Sequence, residues 1–196
     1  MPTPPRDPQA LLEATRRQWG GHGDLWVFGY ASLIWRPEFE CIEHRTATVQ
    51  GWHRSFRMRS RVNRGTPEHP GLVFALVSGG SCKGMVFRIA RDRAHVELDR
   101  LWLREMPTGV YDPRWLPCRT PQGVVPALAF TLSRRSPNFL AHLDDDEMLK
   151  VLRHARGRYG TTLDYMLRTA EALHERQMLD RELARLVHLA RCAGLA

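Results

Sequence analysis

Trp26-Val27-Phe28-Gly29-Tyr30-Ala31-Ser32-Leu33-Ile34-Trp35 is the stretch whose reading decides the rest of the chain. Trp26, Val27 and Phe28 form a short, wholly apolar run of strand type, and Gly29 then frees the backbone for a tight loop carrying Tyr30, Ala31 and Ser32. A buried strand that runs into a turn of small residues exposes consecutive backbone N–H groups. Such donors hold a carboxylate or an oxyanion without any charged side chain, because they are fixed before the ligand arrives. The plainer alternative is a simple turn after a core strand.

On the N-terminal side, Asp7 before Pro8 is a helix cap with proline at the first helical position, and Leu11, Leu12 and Ala14 to Trp19 carry a short helix to Gly20-Gly21. Residues 1–24 therefore read as an N-terminal helical appendage to one domain spanning 25–196. Pro2, Pro4, Pro5 and Asp7 leave no apolar core of signal-peptide length, and no later run approaches the roughly 18 apolar residues of a bilayer span. A soluble protein with no membrane association is expected.

On the C-terminal side, Thr46 to Gln50 and Trp52 to Val62 read as two strands. In the second, Phe56, Met58, Ser60 and Val62 alternate with Arg57, Arg59 and Arg61, so one face is mostly apolar and the other is a ladder of guanidiniums. A solvated face, a phosphate-binding stripe and an electrostatic wall beside an anionic substrate are the three readings of that ladder. Arg64 to Gly71 is a loop by its glycines and prolines, and Leu72 to Val77 with Gly84 to Ile89 form a hairpin around Gly79-Gly80.

Asp92 to Glu105 is the next helix. At 100° per residue Ala94, Leu98, Leu101 and Trp102 share one face, Glu105 falls in the same arc, and Val96 and Leu103 lie opposite. A carboxylate thus sits where packing alone favours leucine, at a cost unless it is paired. The alternative is a frayed helix end at which Glu105 pairs with Arg104 or Arg100 in solvent. From Tyr111 to Thr131 prolines alternate with short apolar runs, and Val124 to Leu132 is a strand. Ser136 to Leu140 is a loop, Asp144 to Asp146 mark a helix N-terminus, and amphipathic helices fill the remainder.

A chain of 196 residues buries roughly 70% of its unfolded surface, enough for one domain with a real core. Lys and Arg number 29 against 21 Asp and Glu, a net charge of +8 that attracts nucleic acid, membrane surface and acidic metabolites alike. Cys41, Cys82, Cys118 and Cys192 are scattered without a Cys-x-x-Cys pair, which suits a reducing cytoplasm and argues against a zinc knuckle. The nine histidines are dispersed, so no metal site is expected. Phosphate-binding loops, dinucleotide fingerprints, His-Glu-x-x-His and Gly-x-Ser-x-Gly are all missing, which leaves Ser32 a poor nucleophile.

The opening stretch resembles the Phe-Gly-Tyr-Gly-Ser-Leu-Ile-Trp loop of the ChaC family of γ-glutamylcyclotransferases, with Ala31 in place of glycine. A left-handed residue at that place would be strained here, because alanine carries a Cβ. The resemblance continues in order along the chain. Arg64, Gly65, Pro67, Pro70 and Gly71 match one family loop; Gly84, Phe87 and Arg88 match a following strand; the Arg104-Glu105 pair, Tyr111, the Pro137 loop and Gly160 to Tyr165 complete it. It covers about Leu25 to Leu173.

What the resemblance implies is an α+β fold, a small mixed β-barrel or curved sheet flanked by helices, with a helical C-terminus. It also implies that glutathione is cleaved to 5-oxoproline and Cys-Gly, the substrate's own α-amine attacking the γ-carbonyl. Such an attack needs no cofactor and no enzyme nucleophile, only a folded substrate and groups to move protons. The family likeness gives Glu105 the acid/base role and places Tyr30, Ala31, Ser32, Leu33, Tyr111 and Tyr165 around the substrate, although Tyr165 by pattern alone is equally a core aromatic. Two alternatives stay open: another γ-glutamyl amine as substrate, or a non-enzymatic binder whose arginine ladder grips nucleic acid.

Overall fold

A computed structural model describes residues 6–196, so that Pro2, Pro4 and Pro5 lie outside the described residues. In chain order the elements are α1 (Pro8–Trp19), β1 (Leu25–Gly29), α2 (Ser32–Trp35), β2 (Glu43–Ser60), β3 (Gly71–Ile89), α3 (Arg91–Glu105), β4 (Asp112–Thr120), β5 (Gly123–Thr131), α4 (Asp145–His154), β6 (Arg156–Gly157), β7 (Gly160–Thr161), α5 (Thr162–Glu175) and α6 (Arg181–Cys192). Two long strands frame the molecule. β2 and β3 pair antiparallel from Glu43↔Arg88 to Ser60↔Gly71. β1 adds to the second half of β3, β4 and β5 form a hairpin, and short parallel contacts at Val27↔Leu128 and Leu76↔Thr131 close a barrel in the order β1-β3-β2-β4-β5. The α+β class with a small mixed barrel is therefore the one observed.

Two expectations fail at glycines, for one reason. Thr46–Gln50 and Trp52–Val62 are a single strand bent at Gly51 (φ 79°), where the register shifts. Opposite that bend lie Gly79 (φ 103°) and Gly80 (φ 69°), which are not a hairpin turn but part of the interior of β3. A positive-φ glycine in an apolar run marks either a turn or a bulge, and only the partner strand says which. Here the two bends coincide, letting long strands curve into a closed barrel. The strand also ends at Ser60 rather than Val62, and Val62 is 61% exposed.

The proline-rich stretch after Tyr111 contains a full strand, β4, that sequence alone left irregular. β4 meets β2 at the single pair Thr48↔Arg119, so Pro113 and Pro117 leave few ladder bonds unmade. Phe28, Phe56, Phe74 and Phe130 are among the largest side chains of the core, each fully buried and each stabilising by about 1.5–3 kcal/mol. α3 presents Ala94, Leu98, Leu101 and Trp102 to this core and leaves Val96 and Leu103 in solvent, following its apolar stripe. α1, capped by Asp7 and ended by left-handed Gly20, lies on α3, where Trp102 Nε1 donates to the Pro8 carbonyl at 2.7 Å and Arg16 pairs with Asp99 at 2.6 Å.

The arginine ladder has a local task. Arg57 donates to the carbonyl of Ala141, Arg59 to that of Pro137 and Arg61 to Asn138 Oδ1, while the Arg59 and Leu140 amides bond across the same seam. The guanidiniums clamp the 136–141 loop to the edge of β2.

Candidate active site

Gly29 is glycine for space rather than for a left-handed φ. A Cβ there would come within 2.9 Å of both the Leu33 Cβ and the Phe87 ring, so its absence lets the chain turn tightly across β3. Tyr30 follows, buried, its hydroxyl donating to the Phe130 carbonyl at 3.0 Å and its own carbonyl accepting from Arg54 Nε. Ala31 has φ −145°, well away from the left-handed region, so the methyl group that replaces the family's glycine does not meet the left-handed strain expected of it. Ser32 then opens α2, and Leu33 is buried in the core. Among the described residues the amides of Ala31, Ser32 and Leu33 donate to no protein acceptor. Three consecutive N–H groups are thus left for a ligand or for solvent.

Glu105 closes α3 beside this loop. Its side chain is 15% exposed, and its carboxylate lies 3.0 Å from Arg104 Nε. Burial raises its proton affinity above the ordinary glutamate range; Arg104 opposes the rise and the Glu38 carboxylate adds to it. The alternative drawn from sequence is half right, since the partner is Arg104 but the pair is not in open solvent. Arg104 is also shared. Its other nitrogens reach the carbonyls of Arg36 and Pro37, the Glu38 carboxylate at 2.9 Å and Ser32 Oγ at 3.1 Å. One guanidinium therefore ties the acid to the loop while neutralising it only in part.

Tyr111 and Tyr165 complete the cluster. Tyr111 packs near the Phe130 ring, and its phenol is pushed well up by burial, with Tyr30 and Glu105 adding to the effect. Tyr165 is 5% exposed, accepts from the Phe74 amide at 3.3 Å and is likewise pushed up, chiefly by burial. Burial raises Tyr30 too, with Glu105 next in importance. All three phenols feel the Glu105 carboxylate, so residues 30, 105, 111 and 165 share one desolvated neighbourhood, and Ser32 joins it through Arg104. Two surface clefts elsewhere, of about 150 and 330 Å³, include none of these residues.

Sequence reasoning missed Arg54 and Glu38, and took Arg104 only as a partner of Glu105, not as the link to Ser32 and Glu38. Arg54 is the most buried of them, its side chain 2% exposed; it bonds the Tyr30 carbonyl, the Lys83 carbonyl and, at 2.6 Å, Asp180 at the start of α6. A trans peptide points its C=O and the following N–H in opposite directions, so holding the Tyr30 carbonyl also aims the Ala31 amide. The signal was present, because Arg54 shares the parity of Phe56 on β2 and a charge on that face needs partners. Chemically, the arrangement offers one acid of raised proton affinity, neutral phenols as donors and a row of free amides.

This barrel, with its desolvated acid set against a strand-end loop, is a γ-glutamyl cyclotransferase fold. It superimposes with a TM-score of 0.77 on the crystal structure of a γ-glutamyl cyclotransferase specific to glutathione from yeast, at 20% identity over 87% of this chain and 96% of that one. The chain belongs to the family described as ChaC-like protein, whose profile matches residues 25–193. It is 35% identical over 172 residues to the glutathione-specific gamma-glutamylcyclotransferase of Escherichia coli K12, covering 87% of this chain and 74% of the relative. With the glutathione-specific gamma-glutamylcyclotransferase 1 of Mus musculus it shares 30% identity over 177 residues, 86% of this chain and 79% of the relative.

Proposed function

We propose that this protein cleaves glutathione to 5-oxoproline and Cys-Gly, with Glu105 as the acid and base of the reaction. The observation that carries the assignment is Glu105 itself, a largely buried carboxylate of raised proton affinity beside three unpartnered amides. Membership of the ChaC-like family and likeness to glutathione-specific gamma-glutamylcyclotransferases support it.

The chemistry follows from the residues. The α-amine of the substrate is mostly ammonium at neutral pH, with a pKa of about 8, and must first lose one proton to solvent before its nitrogen can attack the γ-carbonyl carbon. Ionised Glu105 takes the proton released as the new C–N bond forms and returns it to the peptide nitrogen as the old C–N bond breaks. The ring closes as 5-oxoproline, and Cys-Gly leaves with a neutral amine. A carboxyl of raised proton affinity serves both directions better than an ordinary surface glutamate. The Ala31 to Leu33 amides hold the γ-glutamyl group, and the phenols of Tyr30, Tyr111 and Tyr165 stay protonated as hydrogen-bond donors and ring walls. Holding a folded substrate supplies the remaining rate by proximity.

No nucleic-acid role is needed for the arginine ladder, whose donors go to the 136–141 loop. The described cysteines are unpaired, which suits a reducing cytoplasm, where glutathione is abundant. Incubating the purified protein with glutathione and assaying 5-oxoproline tests the reading directly; no product above the uncatalysed background overturns it.

A further inference from the structure

Arg64 is a buried cation that the chemistry above does not use. It is 7% exposed, yet no carboxylate among the described residues lies within 4 Å of its nitrogens; Nη1 donates instead to the carbonyls of Tyr159 at 2.5 Å and Thr161 at 3.4 Å. Its guanidinium carbon sits 5.2 Å from the Tyr165 ring centroid. Asp164, whose field it feels, is committed to the N-terminal capping box of α5. The remaining donors, Nε and Nη2, have no protein acceptor and are not sealed from solvent. Taking a guanidinium this far out of water without a counter-charge is costly.

Two more guanidiniums stand close by. Arg168 lies 5.8 Å from the ring of Trp35, which itself packs edge-on against Tyr165, and it makes no ion pair among the described residues. Arg36, directly after α2, lies 5.7 Å from the ring of Tyr159 and pairs with Glu38 at 2.5 Å. Burial lowers the proton affinity of Arg64; Tyr165 and Asp164 oppose this, while the nearness of Arg168 and Arg36 adds to it, so each of the two repels Arg64. Such a cluster is stable with an anion among its members.

We propose that Arg36, Arg64 and Arg168 form the subsite for the terminal carboxylate of the departing half of a γ-glutamyl peptide, which makes the enzyme selective for peptides over neutral γ-glutamyl amines. This rests on the cyclotransferase reading and deepens it. The placement fits the substrate's length. The four residues of α2 carry the chain about 6 Å from the amide cradle to Arg36, and an extended dipeptide spans about 7 Å from scissile nitrogen to carboxylate. The γ-glutamyl end occupies the amides beside Glu105, while Arg36, Arg168 and half-exposed Tyr159 lie outward, where the leaving portion must exit.

The test compares glutathione with glutathione amidated at its glycyl carboxylate. In the wild-type enzyme the amide should show a KM raised about 10-fold or more with kcat nearly unchanged, the loss expected when hydrogen bonds to a charged group vanish. In the Arg36→Gln/Arg168→Gln double variant, whose side chains lie at the surface and leave Arg64 to its structural carbonyls, the two substrates should become nearly equal. Equal KM values in the wild type, or an equal penalty on both substrates in the variant, overturns the proposal. Calorimetric titration of both compounds into Glu105→Gln protein gives the same comparison without turnover. If no γ-glutamyl compound is turned over, the cyclotransferase reading fails, and the titration still decides whether the arginines select a carboxylate.

Discussion

Glu97 and Glu105 stand two turns apart on α3, and the same helix treats them differently. Glu97 is completely buried, and two arginines pair with it: Arg100 at 3.1 Å and Arg93, which also reaches Glu40, at 3.5 Å, each about half exposed. Glu105 keeps 15% exposure and has one arginine, which it shares with Glu38, Ser32 and two carbonyls. Burial by itself therefore does not make a reactive acid. What matters is desolvation combined with incomplete neutralisation, next to free donors. On the proposed reading the deeper carboxylate is structural and the shallower one moves the proton.

Substituting both positions is the sharpest way to break this contrast. Glu105→Gln should lower kcat by about 10²–10⁴, the usual loss for a general acid or base, while leaving the fold intact. Glu97→Gln should keep kcat within about threefold and lower stability instead, because it strips Arg100 of its partner and Arg93 of one of two. Steady-state kinetics and melting curves on both proteins check this. Retention of more than a tenth of wild-type kcat by Glu105→Gln removes the distinction.

Arg54 extends the comparison to the other wall of the loop, since it is as fully paired as Glu97 but touches the site directly. Arg54→Met should cost about 3–5 kcal/mol in denaturant unfolding, because it leaves Asp180 and two carbonyls without their partner. Any folded fraction should bind γ-glutamyl ligands weakly, as the Tyr30 carbonyl is then free to rotate. A loss in stability with unchanged ligand affinity would confine Arg54 to scaffolding.

The pH profile gives a smaller signal. Because the proton affinity of Glu105 is higher in the folded protein than in the unfolded chain, the folded form holds a proton that the unfolded form has already released. Stability therefore falls as pH rises from the ordinary glutamate range through the raised folded value. Melting temperatures measured across that window should fall less in Glu105→Gln than in the wild type. The acid limb of kcat/KM should lie above the usual carboxylate range, as the base must be ionised to act. A limb at an ordinary carboxylate value would contradict the raised affinity.

The smallest effect is expected at the arginine ladder. Replacing Arg57, Arg59 and Arg61 by Gln should loosen the 136–141 loop at about 0.2–1 kcal/mol per contact and leave kcat for glutathione nearly unchanged. Wild-type protein should bind nucleic acid weakly and without sequence preference at physiological salt. Tight, sequence-selective binding lost in the triple variant would restore the ladder as a recognition surface.

Local chemistry determined a large part of this protein. Apolar periodicity set the stripe of α3, Asp7-Pro8 and Asp144 set helix starts, and the loop after Phe28 announced itself through its small residues. Each of these depends on neighbours within a turn or two of chain, and so is written in order. Tertiary structure alone decided the others. Whether Gly51 and Gly79-Gly80 were turns or bends depended on strands that lie far apart in sequence until they pair. Whether Ala31 was strained depended on a φ set by how the loop crosses β3. The separate fates of Glu97 and Glu105 depended on which guanidiniums reach them and on what else those guanidiniums hold. Burial and charge neutralisation are sums over neighbours in space, and the chain order does not list those neighbours.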